Sequence, residues 1–422
     1  MSERSQAIAS LRHRDFLLIW LGQLASSIGD QMQVVAIAWA VYVLTGSVLQ
    51  VGLIGLFRLI PFLLLSLVGG AIADTADRKL IIVASACVQM AASAALAVTA
   101  FAGVSAVWLL FAVTFVGGIA TAFDAPARNA LIANVVPRAE MSNAYTLIIL
   151  LRQVAQIAGP ALGGVAVAIV GLGATYLTNT ASFLAVIAAL LLMRPIHVPP
   201  APESRNLERI VVGLKFALTD RLIMLPLVMD VGTRLFVSTR PLLPLLAAQL
   251  FLMGPQGLGW LNTAPAVGAV VGGVALSARR QMRRPLYVML VAFAVEGLFV
   301  IGLGLSAAAL SLGRLTAFGI AMAMLFAAGF CDVLSNVPRT TIIQSRTPDE
   351  LRGRVSAVMN IFSNTGPQLG QVEMGAIATA MGPAGGAIAS GIVAALLPLF
   401  GLLHKQTRQD VLSDSSAIMT SR

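Results

Sequence analysis

The chain has 422 residues, of which 58% are hydrophobic and 11% charged, under half the roughly 25% charge of a soluble domain, and its mean hydropathy is +0.89. These figures exclude a water-soluble globule, because the apolar excess gathers in runs such as Leu80 to Trp108 and Ala174 to Met193 that are long enough to cross a bilayer. A formal net charge of +10 fits either nucleic-acid binding or membrane topology, and the placement of the basic residues decides between them.

Apolar stretches bounded by charges or Gly/Pro turns predict twelve helices, at about 16–44, 48–73, 80–102, 106–130, 142–170, 174–193, 222–249, 256–278, 285–306, 313–337, 353–380 and 383–403. The first run is too long for a signal-peptide core and is expected to stay as a span. An even number of spans puts both termini on one side. The connections on the other side, among them Thr45–Gln50, Gly103–Ser105 and Gly171–Gly173, contain no charge. Arg58, Arg152, Arg234 and Arg240 sit within spans and Arg314 near the uncharged face, which leaves 23 of the 28 basic residues on the opposite side. The positive-inside rule makes that side the cytoplasm, so the charge is a topology signal and nucleic acid is not an expected partner.

Cys87 and Cys331 fall in separate spans, and His13, His197 and His404 fall outside them. No metal, haem or disulfide pattern, hydrolase motif or nucleotide-binding motif is readable, so no cofactor and no enzyme activity are expected. The predicted organisation is a cytoplasmic N-terminus (1–14), a six-helix lobe (15–193), a linker (194–221), a second six-helix lobe (222–404) and a polar, disordered tail (405–422). Leu207, Ile210, Val211, Leu214 and Leu218 share one face of a helix within the linker, the pattern of a helix on the membrane surface. A repeat supports the two halves: Asp124-Ala-Pro-Ala-Arg128 and Pro137 can be laid against Asp332, Arg339 and Pro348, and Gly159-Pro160 against Gly366-Pro367.

After the second helix comes Gly70-Ala-Ile-Ala-Asp74-Thr-Ala-Asp77-Arg78-Lys79. On its own this reads either as a charged turn that fixes topology or as a site where an anion meets a helix N-terminus. It resembles the loop between helices 2 and 3 of the major facilitator superfamily, G-x-x-x-D-[RK]-x-G-[RK]-[RK], with Thr75 and Asp77 departing from the pattern. Within that superfamily the chain resembles bacterial drug and siderophore exporters of the enterobactin-exporter type. That resemblance rests on Phe16-Leu-Leu-Ile-Trp-Leu-Gly-Gln23, Ser27-Ile-Gly-Asp30 and Phe123-Asp-Ala-Pro-Ala-Arg128, over about residues 14–404. Gly159-Pro-Ala-Leu-Gly163-Gly164 is similar to the antiporter motif G-x-x-x-G-P-x-x-G-G, with Ala155 in place of its first glycine, and it reads either as a packing kink or as a hinge.

The resemblance implies an all-α membrane protein with twelve transmembrane helices in two six-helix lobes related by pseudo-twofold symmetry. It further implies proton antiport and an inner gate in which Asp74, Arg78 and Asp124 form a charge cluster. Within the spans, Asp30, Asp230, Glu296 and Glu373 face Arg58, Arg152, Arg234 and Arg240 in number, and such residues normally face a cavity or each other. Depth along the helices puts Asp30 level with Arg152 or Arg234, and Asp230 and Arg234 are i,i+4 on one face. Asp30, Glu296 and Glu373 are the candidate proton carriers; burial in a static pair is the alternative. Arg58 and Glu373 sit at equal depth below the outer surface, as an outer gate would require. An Arg58 that binds an anionic substrate is the alternative.

A substrate cavity is expected to draw on Met32, Gln33, Arg152, Gln153, Gln156, Asp230, Arg234, Phe236, Asn262, Asn360 and Gln368. The expected function is proton-coupled export of a small amphipathic molecule by a monomer in a bacterial inner membrane. The rivals are an uptake symporter or uniporter on the same fold and a non-transporting receptor or scaffold.

Overall fold

The computed structural model describes residues 9–104, 106–194, 214–216, 218–278, 282 and 284–403. Most of the linker helix and the tail expected at 405–422 lie outside them. The described residues form helices and turns and no strand. The first half holds α1 (Arg14–Thr45), α2 (Val48–Thr75), α3 (Arg78–Phe101), α4 (Val107–Val135), α5 (Met141–Ile169) and α6 (Gly171–Leu192). The second holds α7 (Arg221–Phe236), α8 (Gly254–Ser277), α9 (Pro285–Leu305), α10 (Arg314–Arg346) and a continuous stretch, Asp349–Leu403. Gly382 breaks that stretch with φ 77° and ψ 165°, a backbone open to glycine, and so separates α11 (349–381) from α12 (383–403).

Eleven described helical segments, counting 221–250 as one and 349–403 as one, are long and apolar enough to span a membrane. Large apolar side chains such as Leu64, Val98, Trp108, Ile169 and Phe400 stand on the surface, as lipid-facing positions do. Local chemistry sets several ends. The Asp77 carboxylate accepts from the Lys79 amide at 2.8 Å and starts α3, and Asp220 does the same for α7 through the Leu222 amide at 2.9 Å.

Two spans differ from expectation. The run expected at 222–249 is not one helix: α7 stops at Phe236, and a 3-10 turn (Arg240–Leu242), a short helix (Leu243–Leu245) and a π turn (Leu246–Leu250) follow. Pro241 and Pro244 remove amide donors there, which interrupts the helical ladder. The tenth helix runs nine residues beyond its expected end at 337, and Pro338 is accommodated inside it.

The chain divides into two compact units. One comprises Met1–Thr45, Phe57–Asn206 and Gly254–Trp260, and the other Gly46–Leu56, Leu207–Met253 and Leu261–Arg422. The first is built around Ile19, Ile82, Leu131, Phe183 and Leu190. In the second, Leu286, Met289, Leu290, Phe293 and Ile342 pack together. Close helix approach in lipid needs small residues. A side chain at Gly159 or Gly163 would collide with α1 at Gln31 and Met32, and one at Gly268 or Gly329 would strike the backbone of the facing helix at Phe326 and Pro265.

Candidate functional site

Each unit holds its own intramembrane group of charges. In the first, Asp30 sits on α1 one residue after Gly29, where a Cβ would meet Asn179 Oδ1 and Ser182 Oγ at 2.5 Å. The glycine therefore lets α6 come close enough for its buried Asn179 to act. The Asn179 amide donates to Gln33 Oε1 at 2.9 Å, Ser93 Oγ at 3.2 Å and Asp30 Oδ1 at 3.4 Å. Ser93 Oγ donates to Gln33 Oε1 at 2.6 Å, and Ser182 Oγ to Asn179 Oδ1 at 3.0 Å. A polar knot thus joins α1, α3 and α6 in the middle of apolar spans.

The charges acting on Asp30 are those of Arg58, Asp124 and Arg128. Depth arithmetic pointed instead to Arg152 or Arg234, and the helix registers explain the difference. Trp20 Nε1 donates to Leu147 O at 3.0 Å, and Gly159 lies against Ile28 and Gln31. Arg152 therefore sits opposite about residue 24 of α1, about 8 Å to the cytoplasmic side of Asp30. Arg234 is engaged elsewhere. The Arg58 backbone starts about 7 Å outward of Asp30, and its long side chain narrows that gap enough for its charge to act on Asp30 without an ion pair between them.

On α4, Asp124 holds Arg128 in a two-point pair, with Nε at 2.9 Å and Nη2 at 2.7 Å. The Arg78 guanidinium donates to the carbonyls of Ala73 at 3.3 Å and Ala130 at 3.4 Å, tying the α2–α3 turn to α4. Of the expected cluster of Asp74, Arg78 and Asp124, the Asp124 carboxylate is held by Arg128, four residues along the same helix, and Arg78 bonds to backbone carbonyls.

The second unit holds a denser group. Arg234 on α7 donates from Nε to Asp230 at 2.7 Å and from Nη2 to Asp332 at 2.6 Å. Arg339 on α10 pairs with the other oxygen of Asp230, which has no exposed surface, and donates to Asn336 Oδ1 at 2.8 Å. Glu296 on α9 is buried and lies within electrostatic range of Asp332 and Arg234, with the Cys331 thiol beside it. Asp332 and Arg339 were absent from the charges expected deep within spans: Arg339 lies beyond the expected end of α10 at 337, and Asp332 lies only five residues inside it. The repeat that aligned them with Asp124 and Arg128 was the available signal.

The remaining expected site residues scatter. Met32 is buried with its backbone against Gly163, and Gln33 is committed to the polar knot, so neither faces an open cavity. Arg152, Gln156 and Asn360 are exposed, while Gln153 and Phe236 are partly buried. Asn262 lies on α8 and has a partner. Gln368 accepts from Gln371 at 2.9 Å. Glu373 accepts from Ser390 Oγ on α12 at 2.9 Å, and Arg58 is exposed. Gly159, Pro160, Gly163 and Gly164 lie within an unbroken α5, where Gly164 packs on Pro255 and Gly259. Gly366 stands against Val231 and Arg234, and Pro367 O accepts from Ser238 at 3.1 Å. Both Gly-Pro pairs thus sit at close helix contacts. A cavity of about 130 Å³ in the first unit, lined by Trp39, Leu96, Leu110 and Tyr176 among others, includes none of the expected substrate residues.

Among the described residues no group of His, Cys, Asp and Glu could hold a metal. Mid-membrane carboxylates and guanidiniums that pair across helices suit the movement of solutes and ions.

Residues 5–419 match the family model described as a transmembrane secretion effector, and the chain belongs to that branch of the major facilitator superfamily. The enterobactin exporter EntS of Shigella dysenteriae serotype 1 is 24% identical over 96% of each chain, as is its counterpart in Escherichia coli K12. A bacterial homologue of the lysosomal transporter Spinster, solved inward-facing and unoccupied, aligns with a TM-score of 0.71 at 15% identity, covering 95% of this chain and 98% of that one. The protein is an all-α, multi-pass membrane transporter of the major facilitator fold and not an enzyme.

Proposed function

We propose that the protein exports a small organic molecule of the siderophore class, exposing its site alternately to the two sides and exchanging the molecule for protons. The family match and the relatives named as enterobactin exporters support export and the substrate class. The observation that carries proton coupling is a charge excess in the second unit. Among the described residues, Asp230 and Asp332 pair with Arg234 and Arg339, and Glu296 lies in the field of Asp332 and Arg234, so three carboxylates share two guanidiniums inside apolar spans. An unbalanced charge at that depth is costly, and binding one proton removes the imbalance. Glu296 is the carrier, since Asp230 and Asp332 already hold the two arginines at hydrogen-bond distance. Its proton faces Asp332, Arg234 and Cys331 from α7 and α10. Asp30 and Glu373 are the next candidates; the first is steadied by Asn179 and cationic neighbours, the second by Ser390.

The protein works as a monomer in a bacterial inner membrane, with both termini cytoplasmic, as the basic residues of its connections indicate. The test uses the full chain in proteoliposomes with an acidic interior, following accumulation of enterobactin and the outward proton flux. Wild type should accumulate enterobactin only with the gradient. Glu296→Gln should keep downhill exchange and lose gradient-driven accumulation. Normal accumulation by Glu296→Gln would refute the assignment, and enterobactin movement indifferent to the gradient would refute antiport.

A further inference from the structure

The first unit has the opposite imbalance. Asp30 and Asp124 carry two negative charges, whereas Arg58, Arg128 and Arg152 carry three positive ones; Arg58 acts on Asp30, Arg152 feels Asp124 and Arg128, and the Asp124–Arg128 pair acts on both Asp30 and Arg152. Arg128 is held by Asp124 at 2.7 Å. Arg58 and Arg152 are different: both are exposed, and neither has a hydrogen bond or ion pair among the described residues.

Their placement argues against contact with lipid. On α5, Tyr145, Ile149, Arg152 and Gln156 are exposed and fall at i, i+4, i+7 and i+11, so they share one stripe that is polar at three of four positions. Exposed Leu150 and Val154 fall on a different side of the helix, as a lipid face requires. On α2, Arg58 falls on the face of Val51, Gly55 and Phe62, while exposed Ile60, Leu64 and Val68 lie on another. α2 is fixed at this point, because a Cβ on Gly118 of α4 would meet the Arg58 carbonyl at 2.6 Å. Both side chains therefore stand at mid-span, away from the aliphatic surface and unpaired, a state that a guanidinium keeps only where it meets water or an anion.

We propose that Arg58 and Arg152 form a two-rung anion site for the acidic oxygens, carboxylate or ionised phenol, of the exported molecule. This rests on the exporter reading and narrows its substrate to organic acids. Arg152 is the inner rung and Arg58 the outer one. Their backbones are roughly 15 Å apart along the membrane normal; Asp30 feels the charge of Arg58, and the Asp124–Arg128 pair acts on Arg152. A planar guanidinium presents paired N–H donors that match a carboxylate or catecholate edge, which an ammonium cannot do. The carboxylates nearby are already occupied, Asp124 by Arg128 and Asp30 by Asn179, so the substrate's oxygens meet free donors.

The test compares two dyes on one xanthene skeleton, anionic fluorescein and cationic rhodamine 123, in phosphatidylcholine vesicles containing the full chain. Fluorescein should be taken up saturably, with a half-saturation at least tenfold below that of rhodamine 123. Arg58→Gln and Arg152→Gln should each raise the fluorescein half-saturation at least tenfold. Arg152→Lys should stay within threefold to fivefold of wild type, and an unchanged melting midpoint without dye shows that each variant folds. Half-saturations within twofold for the two dyes, no saturable fluorescein uptake, or Gln variants indistinguishable from wild type would overturn the anion site. The exporter reading is judged separately by enterobactin movement. If enterobactin moves while fluorescein is ignored, only the anion site fails. If fluorescein uptake depends on both arginines while enterobactin is not moved, the siderophore reading fails and the anion site stands.

Discussion

Replacing Asp230 by Asn probes the second charge group at its most buried member. The carboxylate has no exposed surface, accepts from Arg234 at 2.7 Å and pairs with Arg339, whose side chain is 4% exposed. Arg234 survives the change with a second carboxylate, Asp332 at 2.6 Å. Arg339 keeps only the amide oxygen of Asn336. The substitution therefore strands a buried guanidinium, and removing one partner of a buried pair costs about 3–5 kcal/mol. Asp332→Asn makes the contrast, because that carboxylate is 31% exposed and Arg234 keeps Asp230; its cost should be about 1 kcal/mol. The buried Cys331 thiol reports unfolding through a thiol-reactive dye once the exposed Cys87 is replaced by Ser. The melting midpoint should fall several times further for Asp230→Asn than for Asp332→Asn. Adding Arg339→Gln removes the stranded charge, so the double variant should lose less than the sum of its parts. Equal midpoints for the two Asn variants, or additive losses in the double variant, would refute the pairing of Arg339 with Asp230.

Asp74→Asn and Asp124→Asn should each abolish flux while the protein still folds; for Asp124 the reason is the release of Arg128, and normal transport by both would sink the inner-face assignment. Asn179→Leu should cut Asp30 loose from α6 and change the pH profile of transport, whereas Asn179→Asp should place a second acid against Asp30; profiles superimposable on wild type would show the polar knot to be mere packing. Gly164→Leu cannot be accommodated against Pro255 and Gly259, so it should lower both expression and flux, and a fully active variant would contradict the close approach of α5 and α8. A cysteine at Ser47 or Gly171 should react with impermeant reagents only from outside the cell; labelling from inside alone would reverse the topology.

Spans, their number and the two halves were legible because bilayer thickness imposes a length and composition that each segment must meet alone. What escaped depends on neighbours. The break after Phe236 was written in Pro241 and Pro244, but the apolar run continues through them and hydropathy is blind to a missing amide. Asn179 is one amide in Thr178-Asn179-Thr180, with no periodic companion, and it matters only because Gly29 admits α6 to its side. Depth counted from the turns misplaced Arg152 against Asp30, since each helix was taken to start level with the others. The Trp20–Leu147 bond and the glycine contacts set the true offset. Glu296 stood among the candidate carriers without named partners for the same reason: its neighbours Arg234 and Asp332 come from two other helices.

The turn at Gly382 adjusts the setting of Glu373. Counting from that single residue, Glu373 lies nine positions back along α11 and Ser390 eight positions forward along α12, so both reach nearly the same depth and the hydroxyl meets the carboxylate. One residue added or deleted there would rotate α12 by about 100° and shift it by about 1.5 Å, carrying Ser390 off to another side of the helix. The length of this hairpin is therefore part of the chemistry of a carboxylate some 13 Å away from it. Tags and fusion points, tolerated at most loop tips, would be felt here deep in the membrane.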